Sequence, residues 1–286
     1  MKIYATYNIK GGVGKTTAAV NLAYLSAADG QRTLLWDLDP QGAASFLFRI
    51  KPRVKGGGKA LIRGTRSIDD AIKATDFDNL DVLPADFTYR NLDLLLDAAK
   101  KPVRRLGSLL APLSAEYDVI FLDCPPGISL LSESVLQAAD TLLVPLIPTT
   151  LSVRTLDQLT GFVGDLDGSR PSILAFFSMI DRRKRLHREI LEQLPAQRDD
   201  VAAAAIPALS LIEQMSVQRA PVTAFAPRSA AARRYEELWL EARKRSGLPP
   251  PSCQPGGNPA AGRRPVAGDQ GVSPAPAQVS GSSSMP

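Results

Sequence analysis

Two lysines flank a glycine-rich turn near the start of the chain. The stretch at 7–17 reads YNIKGGVGKTT. It matches the phosphate-binding P-loop pattern G-x-x-x-x-G-K-[ST] except at Ile9, which stands where the first glycine is expected. Lys10 is an additional lysine that the pattern does not require. The stretch therefore predicts a phosphate site and raises the question of why it carries two lysines.

The glycines of this turn explain its chemistry. They let the backbone bend until N–H groups point at phosphate oxygens, and a helix predicted to begin near Lys15 adds the positive end of its dipole. Lys15 is predicted to contact the β- and γ-phosphates, and the Thr16 hydroxyl to bind Mg²⁺. The alternative is a glycine-rich turn without a ligand. The predicted nucleotide-binding residues here are Lys10, Gly11, Gly12, Val13, Gly14, Lys15, Thr16 and Thr17.

Three aspartates follow two further apolar runs. Asp123 ends the run in VIFLDCPP, as a Walker B aspartate does, and is predicted to hold Mg²⁺ directly or through water. Asp37 and Asp39 lie in LLWDLDPQGAAS, at the predicted carboxyl end of a strand, where ligands bind in open α/β sheets. The alternatives are a capping or turn aspartate at Asp123 and a simple turn in DLDPQG.

Short apolar runs alternate with amphipathic runs of helical period from Lys2 to about Leu240. Several apolar runs are continuous, as expected for strands that are buried on both faces. We predict a doubly wound α/β fold with a mostly parallel sheet and helices on both faces. The predicted strands cover 2–8, 32–39, 80–85, 117–125, 141–148, 172–180 and 201–207. The predicted helices cover 15–29, 41–49, 67–75, 87–100, 103–115, 129–138, 153–167, 185–195 and 228–245.

The composition sets the domain organisation. With 286 residues, 44% of them hydrophobic, the chain can form one large core. We predict one domain at 1–246 and a disordered tail at 247–286, which is rich in Pro, Gly, Ala and Ser. The Gly- and Lys-rich segment 51–66 is predicted to be a mobile basic loop.

The net charge and the apolar runs indicate what the protein binds and where it is located. The net charge of +5 favours an anionic partner. No apolar run reaches the roughly 18 residues that span a bilayer, and the first residues lack the apolar region of a signal peptide, so we expect a cytoplasmic protein. Of the two cysteines, Cys124 is predicted to be a small core residue and Cys253 lies in the tail.

The three motifs together resemble those of a known family. KGGVGKTT, DLDPQGAAS and FLDCPPG, in this order and at these distances, are similar to the deviant Walker A ATPases of the ParA/MinD class, specifically the ParA (Soj-like) branch. The resemblance covers about residues 1–245 and implies a P-loop NTPase fold that binds ATP and Mg²⁺. It also implies that Lys10 reaches the phosphates bound by the other subunit of a nucleotide-sandwich homodimer.

The resemblance implies roles for the remaining motif residues. Lys15 is the phosphate lysine of its own subunit and Thr16 the Mg²⁺ ligand. Asp39 orients the attacking water, and Asp37 supports the metal shell. Asp123 belongs to the second switch. The implied catalytic residues are thus Lys10, Lys15 and Asp39, and the implied metal residues are Thr16, Asp37 and Asp123.

The second half of the chain also resembles this family. Residues 206–209 read IPAL where the family usually has I-P-R-N around the adenine base. Pro207, Leu209 and Met179 are therefore predicted at the base, although Met179 could equally be a core residue.

Basic residues in this half are predicted to bind DNA; the alternative is a solvated charged face. They are Arg182, Arg183, Lys184, Arg185, Arg188, Arg228, Arg233 and Arg234. His187, the one histidine, is predicted to lie on the surface of the basic helix.

The resemblance implies an ATPase that is slow without a partner. Such a protein dimerises on ATP, binds nucleoid DNA without sequence preference, and positions a plasmid, chromosome or carboxysome with a ParB-like or other adaptor that stimulates hydrolysis. The alternative is a MinD-like membrane switch, which needs a C-terminal amphipathic helix that the Pro- and Gly-rich tail cannot readily form. A relative of the nitrogenase iron protein would need two cluster-binding cysteines, and neither Cys124 nor Cys253 suits that role. No stable membrane association is expected.

Overall fold

The computed structural model describes residues 1–99 and 101–250. Eight strands form one sheet in the order β3-β4-β2-β5-β1-β6-β7-β8. Every pair is parallel except β3 with β4, which confirms the predicted mostly parallel α/β sheet. The strands are β1 (Lys2–Thr6), β2 (Thr33–Asp37), β3 (Lys73–Ala74), β4 (Leu80–Leu83), β5 (Val119–Asp123), β6 (Thr141–Leu146), β7 (Ser172–Ile180) and β8 (Val201–Pro207).

Helices cover both faces of the sheet. The longer ones are α1 (Lys15–Ala28), α6 (Leu130–Ala138), α7 (Thr150–Gly164), α8 (Arg185–Gln197) and α12 (Ala230–Ser246). The shorter ones are α2 (Ala43–Leu47), α3 (Gly57–Arg63), α4 (Leu92–Asp97), α5 (Arg105–Leu110), α9 (Ser210–Glu213), α10 (Met215–Gln218) and α11 (Val222–Phe225). Three 3-10 helices lie at Asp69–Ala71, Phe87–Asn91 and Ala111–Ala115.

Alternate residues of each central strand enter two separate cores. Ile3 and Ala5 of β1 pack with α4 to α7 on one face, whereas Tyr4 packs with α1 and α12 on the other. This alternation is what a sheet that is buried on both faces requires. Trp36 and Trp239 are buried in opposite cores, and Cys124 is buried too, as predicted.

Two predicted segments were wrong. The helix predicted at 67–75 is a 3-10 turn followed by β3, which pairs antiparallel with β4 at the sheet edge. The loop predicted at 51–66 contains α3, whose Leu61 and Ile62 are buried. Three consecutive glycines suggested a loop, but Gly58 lets α3 approach Tyr89 and Leu92, where a Cβ would lie 2.9 Å from Leu92 Cδ2. Packing therefore outweighs local propensity.

The chain beyond α12 is mostly outside the described residues. Gly247 ends α12 in the left-handed conformation with φ 69°, and its N–H bonds to the last turn of the helix. The predicted disordered tail at 247–286 lies outside the described residues from 251 onward. Across 1–99 and 101–250, none of the helices has the length and apolar character needed to cross a membrane.

Candidate nucleotide-binding site

Three strands bring polar residues to one edge of the sheet. In the parallel register of β1, β2 and β5, Asp123 is paired with Thr6 on one side and with Asp37 on the other. The glycine-rich turn leaves β1 at this same edge and leads into α1. The carboxyl ends of the strands thus form the crevice in which such sheets bind ligands.

The glycine-rich turn has the backbone conformation that its glycines predict. Gly12 and Gly14 have φ of 69° and 94°, a region that residues with a side chain rarely adopt. Gly14 is the N-cap of α1, so the free backbone amides of the first helical turn adjoin the glycine-rich turn. The carbonyl oxygen of Val13 accepts a 2.6 Å hydrogen bond from Ser178 Oγ on β7. A Cβ on Gly14 would lie 3.1 Å from that Oγ, so this position needs glycine.

Asn8 fixes the start of the turn. Its Nδ2 donates to the Pro145 carbonyl at 2.8 Å, and its Oδ1 accepts from the Lys10 backbone N–H at 2.9 Å. The turn is therefore attached to β6 at one end and to β7 at the other. A preformed loop of this kind binds phosphate without the entropy cost of ordering it.

The two lysines occupy different environments. Lys15 is 6% exposed, and its Nζ donates to the Lys10 carbonyl at 3.0 Å. Burial lowers the pKa of Lys15, while the nearby Asp123 carboxylate opposes that shift. Lys10 is only half-buried, and no side-chain hydrogen bond or ion pair of Lys10 occurs among the described residues. The turn thus holds one lysine inside the crevice and a second on its rim.

Two aspartates are fully buried beside each other. Asp37 Oδ2 accepts hydrogen bonds from the Ser45 N–H and Oγ, both at 2.7 Å, whereas its Oδ1 has no partner within the described chain. Asp123 Oδ1 accepts from Thr6 Oγ1 at 3.1 Å, and its Oδ2 likewise has none there. Burial raises the pKa of both carboxyl groups, and the charge of Asp37 raises the pKa of Asp123 further.

This arrangement fits a divalent cation bound together with phosphates. Two unpaired carboxylate oxygens at the end of a phosphate loop are suitable for Mg²⁺, which keeps waters and takes only one or two carboxylates along with phosphate oxygens. The half-buried Thr16 hydroxyl faces Asp123 and opposes the rise of its pKa. No group of three or more His, Cys, Asp or Glu forms a self-sufficient metal site at 1–99 or 101–250. Phosphate oxygens and waters would complete the coordination shell.

Asp39 lies at the mouth of the crevice. It is half-buried and begins a turn in which its Oδ1 accepts from the Gln41 N–H and its carbonyl from the Gly42 N–H, both at 2.9 Å. Its charge raises the pKa values of Asp37 and Asp123, so it lies within electrostatic reach of both. A carboxylate in this position can orient a water molecule next to a bound phosphate.

The residues predicted around the base also meet at one place. Ile180 at the end of β7 is in register with Pro207 at the end of β8, and the Ala208 N–H donates to the Ile180 carbonyl at 3.0 Å. Met179 is 45% exposed and has φ 54°, so it is not a core residue. Leu209 is half-buried against the core that contains α1. These residues offer an apolar surface next to the turn, because Ser178 contacts it.

The predicted DNA-binding residues are all exposed, but several are already paired. Arg183 makes a bidentate ion pair with Asp181 at 2.9 Å, and Arg185 pairs with Glu189 at 2.6 Å. The exposed side chains are Arg182, Arg183, Lys184, Arg185, Arg188, Arg228, Arg233 and Arg234.

His187 was wrongly predicted to lie on the surface. It is 4% exposed because it is on the inner face of α8, where its Nδ1 accepts a 3.1 Å hydrogen bond from the Asp181 N–H. Burial lowers the pKa of His187, so the neutral ring is the form that accepts this bond. His187 therefore holds the start of the basic segment in place.

Sequence reasoning missed four polar residues that support the site. Thr6, Asn8, Ser45 and Ser178 are all buried, and each bonds to a motif residue or to its backbone. Thr6 and Asn8 had a usable signal, since each is a polar residue close to the end of an apolar strand and just before the glycines. Ser178 is 165 positions from Val13 and gave none.

Comparison with known proteins places the chain among ATPases of this architecture. A family model described as an AAA domain matches residues 1–176. The chain is 33% identical over 246 residues to the sporulation initiation inhibitor protein Soj of Bacillus subtilis, covering 84% of this chain and 97% of Soj. It is 36% identical over 201 residues to the chromosome partitioning protein ParA of Myxococcus xanthus, covering 68% of this chain and 70% of ParA.

Solved structures agree with the fold. Cobyrinic acid a,c-diamide synthase from Mycobacterium smegmatis, solved with ADP and magnesium, has a TM-score of 0.70 at 26% identity, over 89% of this chain and 100% of that one. A plasmid partition protein from Borrelia burgdorferi has a TM-score of 0.71 at 24% identity, over 85% and 98%. ATP and Mg²⁺ are thus the cofactors that the site fits. Given the identities to Soj and ParA over most of its length, the chain belongs to the ParA/Soj family of P-loop ATPases.

Proposed function

We propose that this chain hydrolyses ATP in a cycle that positions a cargo. In the ATP state it forms a nucleotide-sandwich homodimer that binds duplex DNA of any sequence in the cytoplasm and so associates with the nucleoid. A ParB-like or other small adaptor then stimulates hydrolysis, which is slow without it, and releases the dimer. The cargo is a plasmid, a chromosome or a protein organelle such as a carboxysome. The names of relatives support this, since Soj and ParA are sporulation and partition proteins.

The observation that carries the proposal is the position of Lys10. Lys15 already supplies a buried cation to the phosphates of its own subunit, and a second lysine on the rim adds little there. On the rim, however, the amino group can reach a nucleotide held by a facing subunit. A cation supplied in trans contributes about 10³–10⁵ to the rate in related phosphoryl-transfer systems.

The proposed catalytic roles use residues that the crevice brings together. The glycine turn and Lys15 bind the phosphates, and Thr16, Asp37 and Asp123 hold the metal shell. When bound, Mg²⁺ would supply neutralisation of the charge that develops on the γ-phosphate. Asp39 orients the attacking water, and Lys10 of the facing subunit stabilises the transition state. Such catalysis rests on positioning and on charge stabilisation.

The proposed DNA contacts lie on α8 and α12 and in the turns before them. Exposed arginines at these places meet phosphates, and binding of this kind falls steeply with salt. The base contacts at Met179, Pro207 and Leu209 are apolar and backbone contacts. Ala208 and Leu209 replace the polar pair of the family pattern, so shape rather than side-chain hydrogen bonds would select the base.

The proposal is tested by Lys10→Ala with ATP and Mg²⁺. We expect sedimentation to show an ATP-dependent dimer for the unmodified chain and a monomer for the variant, with DNA retention at low salt lost as well. Lys73→Ala, which changes an exposed lysine on the edge strand β3, is the matched control and should dimerise normally. Normal dimerisation of the Lys10 variant, or equal DNA retention with ADP, would contradict the proposal.

A further inference from the structure

A group of exposed cations follows the loop that carries Asp39. We call it the α3 cationic surface and define it as Lys51, Arg53, Lys55, Lys59 and Arg63, all exposed. No acidic residue occurs from 49 to 66. The flanking Arg49 and Arg66 are in ion pairs with Asp76 and Asp70. None of the five is in an ion pair within the described chain, although the charge of Arg53 acts on the Asp86 carboxylate and helps to lower its pKa.

This surface differs from the basic clusters predicted from the sequence. Arg183, Arg185 and Arg234 in those clusters each pair with a nearby carboxylate. In contrast, Lys59 and Arg63 are four residues apart on one face of α3, where like charges repel and destabilise the helix. An external anion would relieve that repulsion.

The surface is held rigidly by the core beneath it. The Val54 N–H donates to Asp86 Oδ2 and the Gly58 N–H to Thr88 Oγ1, both at 2.8 Å. The large apolar residues of the segment, Val54, Leu61 and Ile62, are all buried. Pro52 is the exposed apolar residue between the five cations, and no larger apolar side chain is exposed among them.

The types of residue that this surface exposes indicate which class of anionic partner it binds. A protein partner is usually anchored by apolar or aromatic side chains at the centre of the contact, and stable membrane binding takes a lipid anchor or inserted apolar residues in addition to a basic patch. The segment exposes no apolar side chain larger than that of Pro52. The exposed Phe87 nearby carries the Arg90 guanidinium over its ring at 4.2 Å, which leaves that face unavailable for stacking on unpaired bases. Of these anionic partners, a nucleic-acid duplex with its regularly spaced phosphates is the one that the surface fits.

We propose that the α3 cationic surface binds the phosphate backbone of duplex DNA, at a place separate from the clusters on α8 and α12. The inference rests on the proposed function and adds a surface to it. It also places DNA next to the catalytic loop, because Gly42 of that loop packs on Pro52 so closely that a Cβ would lie 2.8 Å from Pro52 Cβ. DNA and nucleotide binding at these two places should therefore influence each other.

The test is the triple variant Lys55→Gln, Lys59→Gln, Arg63→Gln in the full chain with ATP and Mg²⁺. Fluorescence anisotropy with a labelled random-sequence duplex over a salt series measures affinity. We expect at least about tenfold weaker binding, and a log–log salt slope that falls by about 2–3, since each lost phosphate contact removes about 0.9. The control Arg154→Gln, Arg170→Gln, Lys73→Gln removes the same charge from exposed positions outside α3, α8 and α12 and should change affinity less than about threefold.

Each outcome separates the inference from the proposed function. Sedimentation with ATP and urea unfolding verify that both triple variants dimerise and fold. If the α3 variant binds duplex as the control does, the inference is overturned while the proposed function stands. If the unmodified chain retains no duplex in the ATP state, the DNA part of the proposed function fails and the inference fails with it. Anionic phospholipid vesicles that bind in place of duplex, or preference for single strands, would also overturn it.

Discussion

The two ends of the nucleotide crevice are built in opposite ways. The phosphate end comprises the glycine turn with Lys15, Asp37 and Asp123. Its buried charged groups are fixed by hydrogen bonds to the turn, to α2 and to β1, respectively. The base end, which comprises Met179, Pro207 and Leu209, is partly exposed and has no charged side chain among its members. Under the proposed function, we expect affinity and chemistry to reside at the phosphate end and the base end to contribute shape.

The difference shows which end of the crevice lowers the free energy of unfolding of the empty protein. Two buried carboxylates side by side destabilise the empty protein, because each is desolvated and each repels the other. Lys15 compensates for part of this repulsion, and a bound cation would compensate for more of it. The base end has no comparable cost, apart from the positive φ of Met179. Variants at the two ends should thus differ in both size and sign of effect.

Lys15→Ala should have the largest effect. Removing the buried ammonium group takes away its contacts with two phosphates and leaves the carboxylates uncompensated, so ATP affinity should fall about 10²–10⁴-fold. Isothermal titration calorimetry with ATP and Mg²⁺ measures this loss. Lys10→Ala is the control and should keep nucleotide binding. Tight ATP binding by the Lys15 variant would show that the base end carries the affinity.

Asp39→Ala should affect the reaction rather than binding. Without the carboxylate that orients water, hydrolysis should slow by at least about 10²-fold, while ATP binds and the dimer accumulates. Phosphate release and sedimentation measure these two properties. Gln41→Ala is the control, because only its backbone N–H bonds to Asp39. Normal hydrolysis by the Asp39 variant would remove Asp39 from the proposed mechanism.

Asp123→Asn should stabilise the empty protein. Burial raises the pKa of Asp123, so the folded state holds a proton that the unfolded state has already lost. Wild-type stability should therefore fall as pH rises from about 5 to about 8, and the variant should show less of this fall. At about pH 8 the variant should gain on the order of 2 kcal/mol in free energy of unfolding.

Urea unfolding in EDTA without nucleotide measures this gain. In excess Mg²⁺ and ATP the order should reverse, because the wild type gains binding energy that the variant lacks. A variant that is less stable than the wild type under both conditions would show that the Asp123 charge is already compensated in the empty site.

The motifs were predictable because their physics is local. Glycines at 12 and 14, Lys15 and Thr16 are contiguous, and an aspartate directly after an apolar strand lies at the ligand-binding edge of any parallel sheet. The alternation of strands and helices determined the mostly parallel sheet in the same way. All these inferences need only neighbours in sequence.

The supporting contacts were not predictable because they depend on strand register. Thr6 meets Asp123 across 117 positions, and Ser178 meets Val13 across 165. The errors at α3 and His187 have the same origin. Consecutive glycines predicted a loop at α3, whereas packing against Tyr89 makes the segment helical. Basic neighbours predicted an exposed His187, whereas its hydrogen bond to the Asp181 backbone holds it inside.

Met179 gives the smallest and most specific test of the base end. Its φ of 54° costs a non-glycine residue about 1–2 kcal/mol. Met179→Gly and Met179→Ala lose the same side chain, but only glycine relieves the backbone. The Gly variant should therefore be more stable than the Ala variant by about 1 kcal/mol in urea unfolding. ATP affinity should fall less than about threefold in both, since an exposed side chain contributes little apolar contact. A larger loss of affinity in both variants would mean that the base end anchors the nucleotide and does more than shape its pocket.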